Sequence, residues 1–210
     1  GRRAGRGGRP GPAACPEAAQ ETAPEASGGE KALGRMMNEA IEHHRHGRFE
    51  QAAEGYWKVM EADPNHAPAT YHLGMVMHRI GENEKAVELV SGALAQGYGG
   101  ALEYCNLGII YNQLGRLDEV VECQQRSIAL DGEYTAAYFN LGNAYRNLSQ
   151  PEAAIEALQM AVTLKPDFPQ AHNKLCLALH DAGRVEDALN RRSEELPGGK
   201  ECRTRWSPIH

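Results

Sequence analysis

Several things are missing from this 210-residue chain, and each absence removes a class of protein. No run of about 18 apolar residues occurs, so no segment reads as a membrane-spanning helix. Four arginines (Arg2, Arg3, Arg6, Arg9) stand near the start. No apolar stretch follows them, so they do not introduce a secretory leader. The five cysteines, at 15, 105, 123, 176 and 202, never fall in a C-x-x-C spacing, and their number is odd. That argues against a zinc ribbon or a disulfide framework, and for free thiols in a reducing, cytoplasmic setting. Residue 1 is Gly and not Met, which reads as a processed end or as the edge of a longer protein. Asn147, Leu148 and Ser149 spell a glycosylation sequon, which without a secretion signal is expected to go unused.

Catalytic signatures are missing as well. The sequence contains no G-x-S-x-G, no Walker loop, no Gly-rich dinucleotide turn and no H-E-x-x-H. We expect no enzyme activity from this segment and no cofactor. The stretch EHHRH (42–46) places His43 and His46 on one helical face, but no third ligand follows at a sensible spacing, so no metal is expected. Residues 33–190 carry 12 Lys/Arg against 21 Asp/Glu, a balance of −9. An acidic body of that kind argues against nucleic acid as the main partner. Residues 1–32 are rich in Gly, Ala, Pro and Glu and poor in core-forming side chains. They cannot bury enough surface to offset backbone entropy and are expected to be disordered.

What the chain does have is a repeat. From residue 33 the pattern recurs every 34 residues, in units 33–66, 67–100, 101–134, 135–168 and a partial 169–190, with an irregular tail at 191–210. Numbering the positions of each unit as columns, column 15 reads Gly47, Gly81, Gly115, Ser149, Gly183, and column 7 reads Glu39, Leu73, Leu107, Leu141, Leu175. Column 8 is Ala40, Gly74, Gly108, Gly142, Cys176; column 20 is Ala52, Ala86, Val120, Ala154, Ala188. Columns 4, 7, 8 and 11 share one face of a first helix, and columns 20, 24, 27 and 28 one face of a second. Small residues at columns 8 and 20 let the two backbones approach. Gly at column 15 suits the left-handed residue that ends a helix. Pro64 and Pro166, at column 32, stop the second helix. Each unit is therefore a helical hairpin with one sticky face, which the next hairpin covers.

These columns resemble the tetratricopeptide repeat family over residues 33–190, and YFNLGNAYRNLSQPEAAIEALQMAVTLKPD (138–167) lies close to the family pattern. The resemblance implies an all-α, right-handed solenoid of stacked helical hairpins. Departures are informative. Glu39 and His43 replace the expected Leu and Tyr in unit one, as a terminal unit tolerates. Unit two ends in GYGG (97–100) without its proline, so its join to unit three is expected to be looser. Arg192, Glu195 and Leu196 do not continue the second-helix pattern of unit five, and no solvating cap helix follows.

The resemblance also implies that columns 2, 5, 6, 9, 12 and 13 face a concave groove. Column 6 reads Asn38, His72, Asn106, Asn140, Lys174. A ladder of amides there can bind an extended peptide through its main chain, or can bond the neighbouring hairpin and only fix the stack. The stretch NLGNAY (140–145) is similar to the repeat arm of O-linked N-acetylglucosaminyltransferases. Tyr71 and Phe139 (column 5) and Met75, Ile109 and Asn143 (column 9) form a mixed floor, which either contacts ligand or packs between hairpins. His78, Arg79, Asn112 and Arg146 form a rim with basic character. The expected partner is a protein or peptide segment, with acidic or phosphorylated segments favoured by that rim. A clamp for a C-terminal carboxylate is not expected, because column 5 carries no Lys. Two further readings stand beside the peptide-binding scaffold. One is a substrate-recruiting arm of a larger enzyme such as a glycosyltransferase; the other is an architectural adaptor that self-associates through uncapped ends.

Overall fold

A computed structural model describes residues 28–184 and residue 187. Among these, nine helices follow one another: α1 (Gly28–Arg45), α2 (Phe49–Ala62), α3 (Ala67–Arg79), α4 (Asn83–Ala95), α5 (Ala101–Gln113), α6 (Leu117–Leu130), α7 (Thr135–Asn147), α8 (Pro151–Leu164) and α9 (Pro169–Asp181). They pack as stacked antiparallel pairs, α1 with α2, α3 with α4, α5 with α6 and α7 with α8, with α9 laid against α8. The fold is the expected all-α helical-hairpin solenoid.

One boundary differs. Helix α1 begins at Gly28, so residues 28–32 belong to the first helix and not to the segment expected to lack structure. Glu30 in its first turn faces the positive end of the helix dipole, which favours an early start. The expected end of the fifth unit at 190, the tail at 191–210 and the segment 1–27 lie outside the described residues.

The hairpin turns follow from column 15. All five of its residues have a left-handed backbone, with φ of +72, +92, +71, +57 and +72° at Gly47, Gly81, Gly115, Ser149 and Gly183. Each completes the same pair of capping bonds. At the first turn the Gly47 amide donates to His44 O at 3.0 Å and the Arg48 amide to His43 O at 2.9 Å, which satisfies carbonyls the helix leaves open. The sequence pattern thus becomes a reversal of chain direction.

Within each hairpin the two backbones meet at column 8. A Cβ placed on Gly74 would lie 2.7 Å from Val90 Cγ2, and one on Gly142 would lie 2.5 Å from Leu158 Cγ. Column 24 is wholly buried as Tyr56, Val90, Gln124 and Leu158, and column 20 is buried as Ala52, Ala86, Val120 and Ala154. Hairpin three departs from the apolar rule at two buried places. Gln124 donates Nε2 to Cys105 O at 3.3 Å, and Ser127 donates Oγ to Ala101 O at 2.6 Å. Gln124 Oε1 is buried without a partner.

Candidate functional site

Helices α1, α3, α5, α7 and α9 form one layer and α2, α4, α6 and α8 the other. The members of the first layer touch one another (α1 with α3, α5 with α7, α7 with α9), whereas those of the second do not make comparable contacts among the described residues. The stack is therefore tighter along the first layer, and the face of α1, α3, α5, α7 and α9 is the inner one.

Charge divides between the layers. The inner helices carry six bases (Lys31, Arg35, Arg45, Arg79, Arg146, Lys174) against five acids (Glu30, Glu39, Glu42, Glu103, Asp181). The outer helices carry ten acids (Glu50, Glu54, Glu61, Glu84, Glu88, Asp118, Glu119, Glu122, Glu152, Glu156) against Lys58, Lys85 and Arg126. From α3 onward both inner acids are engaged. Glu103 Oε2 accepts from the Gly100 amide at 2.7 Å, and Asp181 Oδ2 accepts from Arg146 at 2.7 and 3.0 Å. Arg79 and Lys174 form no ion pair among the described residues. The inner layer is thus close to neutral beside a strongly acidic outer layer.

The amide ladder is not free in a trough. Asn106 Nδ2 donates to Tyr71 OH at 2.7 Å, and Asn140 Nδ2 donates to Cys105 Sγ at 3.3 Å. In both, a column-6 amide reaches back to column 5 of the preceding hairpin and ties the seam. Both amides are half-buried, and neither Oδ1 is among the buried, unpartnered oxygens. Asn143 differs, because its Oδ1 is buried without a partner.

Column 5 packs between hairpins. Tyr71 is 5 % exposed and Cys105 is buried, while Phe139 lies against Phe168 with centroids 5.0 Å apart. Tyr71 and Phe139 are therefore seam residues and do not floor an open groove. His72 is half-buried, stacked on Tyr56 at 5.7 Å and edge-on to His44 at 6.5 Å. Burial holds both imidazoles below the ordinary His range; the nearby His44 adds to the effect at His72, and Arg79 adds to it at His44. His78 Nδ1 donates to Asn83 Oδ1 at 2.7 Å. Asn38, Arg79 and Asn112 are exposed, and Met75 and Lys174 are half-buried. Arg146, expected as free rim charge, is neutralised by Asp181 from the next hairpin.

Two aliphatic side chains stand out on the inner helix α5. Ile109, expected in the groove, is 38 % exposed, and Leu102 is 51 % exposed. They sit seven residues apart on one helical face, with Asn106 between them. Leu102 was absent from the expected site although it occupies column 2, which is assigned to the groove. Its size among Gly34, Pro68, Ala136 and Gln170 in that column was the signal. No group of three or more His, Cys, Asp or Glu able to hold a metal occurs among the described residues, and His43 Nδ1 accepts from Arg48 Nε at 2.8 Å.

Tetratricopeptide repeat profiles match residues 37–101, 104–134, 135–168 and 169–191, which together span most of the chain. The chain belongs to the tetratricopeptide repeat family. Solved structures agree on the architecture. The crystal structure of MamA superposes with a TM-score of 0.74 at 25 % identity, covering 86 % of this chain and 98 % of that one. A MamA fragment from Desulfovibrio magneticus RS-1 gives 0.73 at 20 %, covering 83 % and 97 %. YrrB, described as a tetratricopeptide protein with an unusual peptide-binding site, gives 0.69 at 21 %, covering 80 % and 91 %. A comparison of the sequence with curated proteins finds no match. The repeat stack is thus a scaffold of the protein-binding kind, and the likeness to a glycosyltransferase arm rests on the NLGNAY wording alone. No described helix is long and apolar enough to cross a membrane.

Proposed function

We propose that this tetratricopeptide repeat scaffold binds an acidic peptide segment of a partner protein along its inner face. The observation that carries the reading is the separation of charge between the helix layers. Arg79 and Lys174 form no ion pair among the described residues of the inner helices, while most acids lie on the outer ones. Leu102 and Ile109 offer the ligand an aliphatic foothold, and Asn106 Oδ1 can accept one of its main-chain N–H groups. Carboxylates, or phosphates, on the ligand would meet Arg79 at one side of that foothold and Lys174 at the other. YrrB lends the precedent of a peptide site, but at 21 % identity it supports the fold only.

A fluorescent peptide library with matched Glu and Gln members tests this on the full chain. We expect Glu peptides with a central aliphatic residue to bind, with affinity falling about tenfold between 50 and 300 mM salt. Arg79→Ala with Lys174→Ala removes the Glu preference, and Leu102→Ser weakens Glu and Gln members alike. Equal binding of the two members, insensitive to salt, overturns the reading. The second reading, a recruiting arm of a larger transferase, is favoured by NLGNAY (140–145) and is checked by whether the native reading frame continues into a catalytic domain.

A further inference from the structure

We infer that the helix stack flexes at one place, the seam between hairpin α3/α4 and hairpin α5/α6, and that Tyr71 is the latch holding that seam shut. Four separate features meet there.

The first is the exit from the outer helix. Helices α2, α6 and α8 each end on an extended residue, Asp63, Asp131 or Lys165. Helix α4 ends instead on Gln96 with φ −79°, followed by Gly97 at φ +82° and Gly99 at φ +116°. The proline of units one and four is replaced by Tyr98. The connection therefore passes through two glycines, whose backbone is the least restricted of any residue.

The second is the inner layer. Along it the backbones of α1 and α3, of α5 and α7 and of α7 and α9 come close, whereas α3 and α5 meet through side chains such as Tyr71 and Asn106. The packing of α4 on α5 is also the least extensive of the four contacts between an outer helix and the next inner one.

The third is a missing side chain. Gln125 reaches across the following seam and donates Nε2 to Tyr145 OH at 3.2 Å. The same column holds Trp57 in hairpin one but only Ser91 in hairpin two. Ser91 Oγ turns back to Glu88 O at 3.2 Å, and a Cβ added to the adjacent Gly92 would meet nothing within 4 Å.

The fourth is a cavity of about 540 Å³ on the α5/α6 hairpin, lined by α5 residues Tyr104, Leu107 and Tyr111 and by α6 residues that include Cys123 and Gln125, with no residue of α3 or α4 reaching into it. Tyr111 is the column equivalent of Tyr145, the residue Gln125 would secure one seam further on.

Side chains hold the seam shut: Tyr71 and Val90 share one buried cluster with Leu107 and Ile110, Tyr71 OH takes the Asn106 amide, and the Tyr71 ring lies 5.4 Å from that of Tyr98. Local opening free energy follows packing, and the packing of helix on helix is least extensive here, so this seam opens before its neighbours. Because it lies midway along the inner face, its opening changes the separation between Arg79 and Lys174.

Hydrogen–deuterium exchange of the full chain tests this, comparing amides 104–110 of α5 with the column-equivalent amides 138–144 of α7. In the wild type, α5 exchanges at least about tenfold faster than α7. Ser91→Gln, which restores the bridging side chain toward Tyr111, slows α5 alone. Tyr71→Phe, which removes the latch bond but keeps the ring, speeds α5 and leaves 138–181 unchanged. Equal wild-type rates in α5 and α7 overturn the inference, and so does a Ser91→Gln variant whose α5 exchanges as in the wild type.

Discussion

Asn106 gives its amide hydrogen to the hydroxyl of Tyr71, 35 residues earlier, at 2.7 Å, and Asn140 repeats the reach onto Cys105 at 3.3 Å. The amide nitrogen of each thus holds two hairpins together. Asn106→Ala is expected to lower stability by about 0.5–1.5 kcal/mol, the net worth of a hydrogen bond in a partly buried seam. Asn140→Ala is expected to lower it less, since a thiol is a weak acceptor. Urea unfolding measures both. A double-mutant cycle of Asn106→Ala with Tyr71→Phe should show coupling, because the two substitutions break one bond. Midpoints unmoved by either Asn substitution would leave the amides to ligand contact alone.

Ser149 occupies the turn position that glycine holds in the other four hairpins, with φ +57°. An L side chain in the left-handed region is disfavoured by about 1–2 kcal/mol. Ser149→Gly should therefore raise stability by about 1 kcal/mol, less what glycine's unfolded-state freedom takes back. Thermal unfolding of the variant checks the sign.

Gln124 is the buried polar residue at a column otherwise filled by Tyr56, Val90 and Leu158, and its Oε1 has no partner. Hairpin four shows the apolar solution, Leu158 beside Gly142. We expect Gln124→Leu to stabilise by up to about 1 kcal/mol, the unpartnered carbonyl outweighing the lost bond to Cys105 O. Gly142→Ala should go the other way by about 1–3 kcal/mol, since its Cβ would meet both Leu158 Cγ at 2.5 Å and Ala154 O at 3.2 Å.

His44 and His72 carry imidazoles whose pKa is lowered chiefly by burial. A lowered folded-state pKa means that the unfolded chain takes up protons first. Stability from these residues is complete above about pH 6.5, the unfolded value, and falls as pH drops below it toward the folded one. The melting temperature should fall on acidification through that window. His72→Gln should flatten the fall, because it removes one of the two depressed imidazoles. An unchanged slope would remove these two imidazoles as its source.

The repeat, its hairpins and their turns were legible before any coordinates, because each depends on contacts within 34 residues of chain. Column 15 needs a left-handed backbone, and column 8 needs room against column 24 of its own hairpin. The glycines and the absent proline after residue 96 were also visible, and the proposal of a looser join rests partly on them. The assignment of the inner face was less legible. Column 5 and column 6 point about 100° apart on a helical wheel, and only the stacking angle between hairpins decides which turns into the seam and which stays open. Tyr71 and Phe139 went into the seam, and Arg146 met Asp181 from the next unit. Each outcome depends on a residue about one repeat away whose distance the wheel does not contain.

By itself the sequence determined a stack of two-helix units with acid on the second helix of each, since 3.6-residue periodicity and helix-ending residues act locally. Only the tertiary structure decided which polar groups remain unspent. Asn106 and Asn140 lost their donors to neighbouring hairpins, Arg146 lost its charge to Asp181, and Arg79 and Lys174 kept theirs. The reason is physical: periodicity sets which face a side chain occupies, whereas its bonds depend on the few ångströms separating one hairpin from the next.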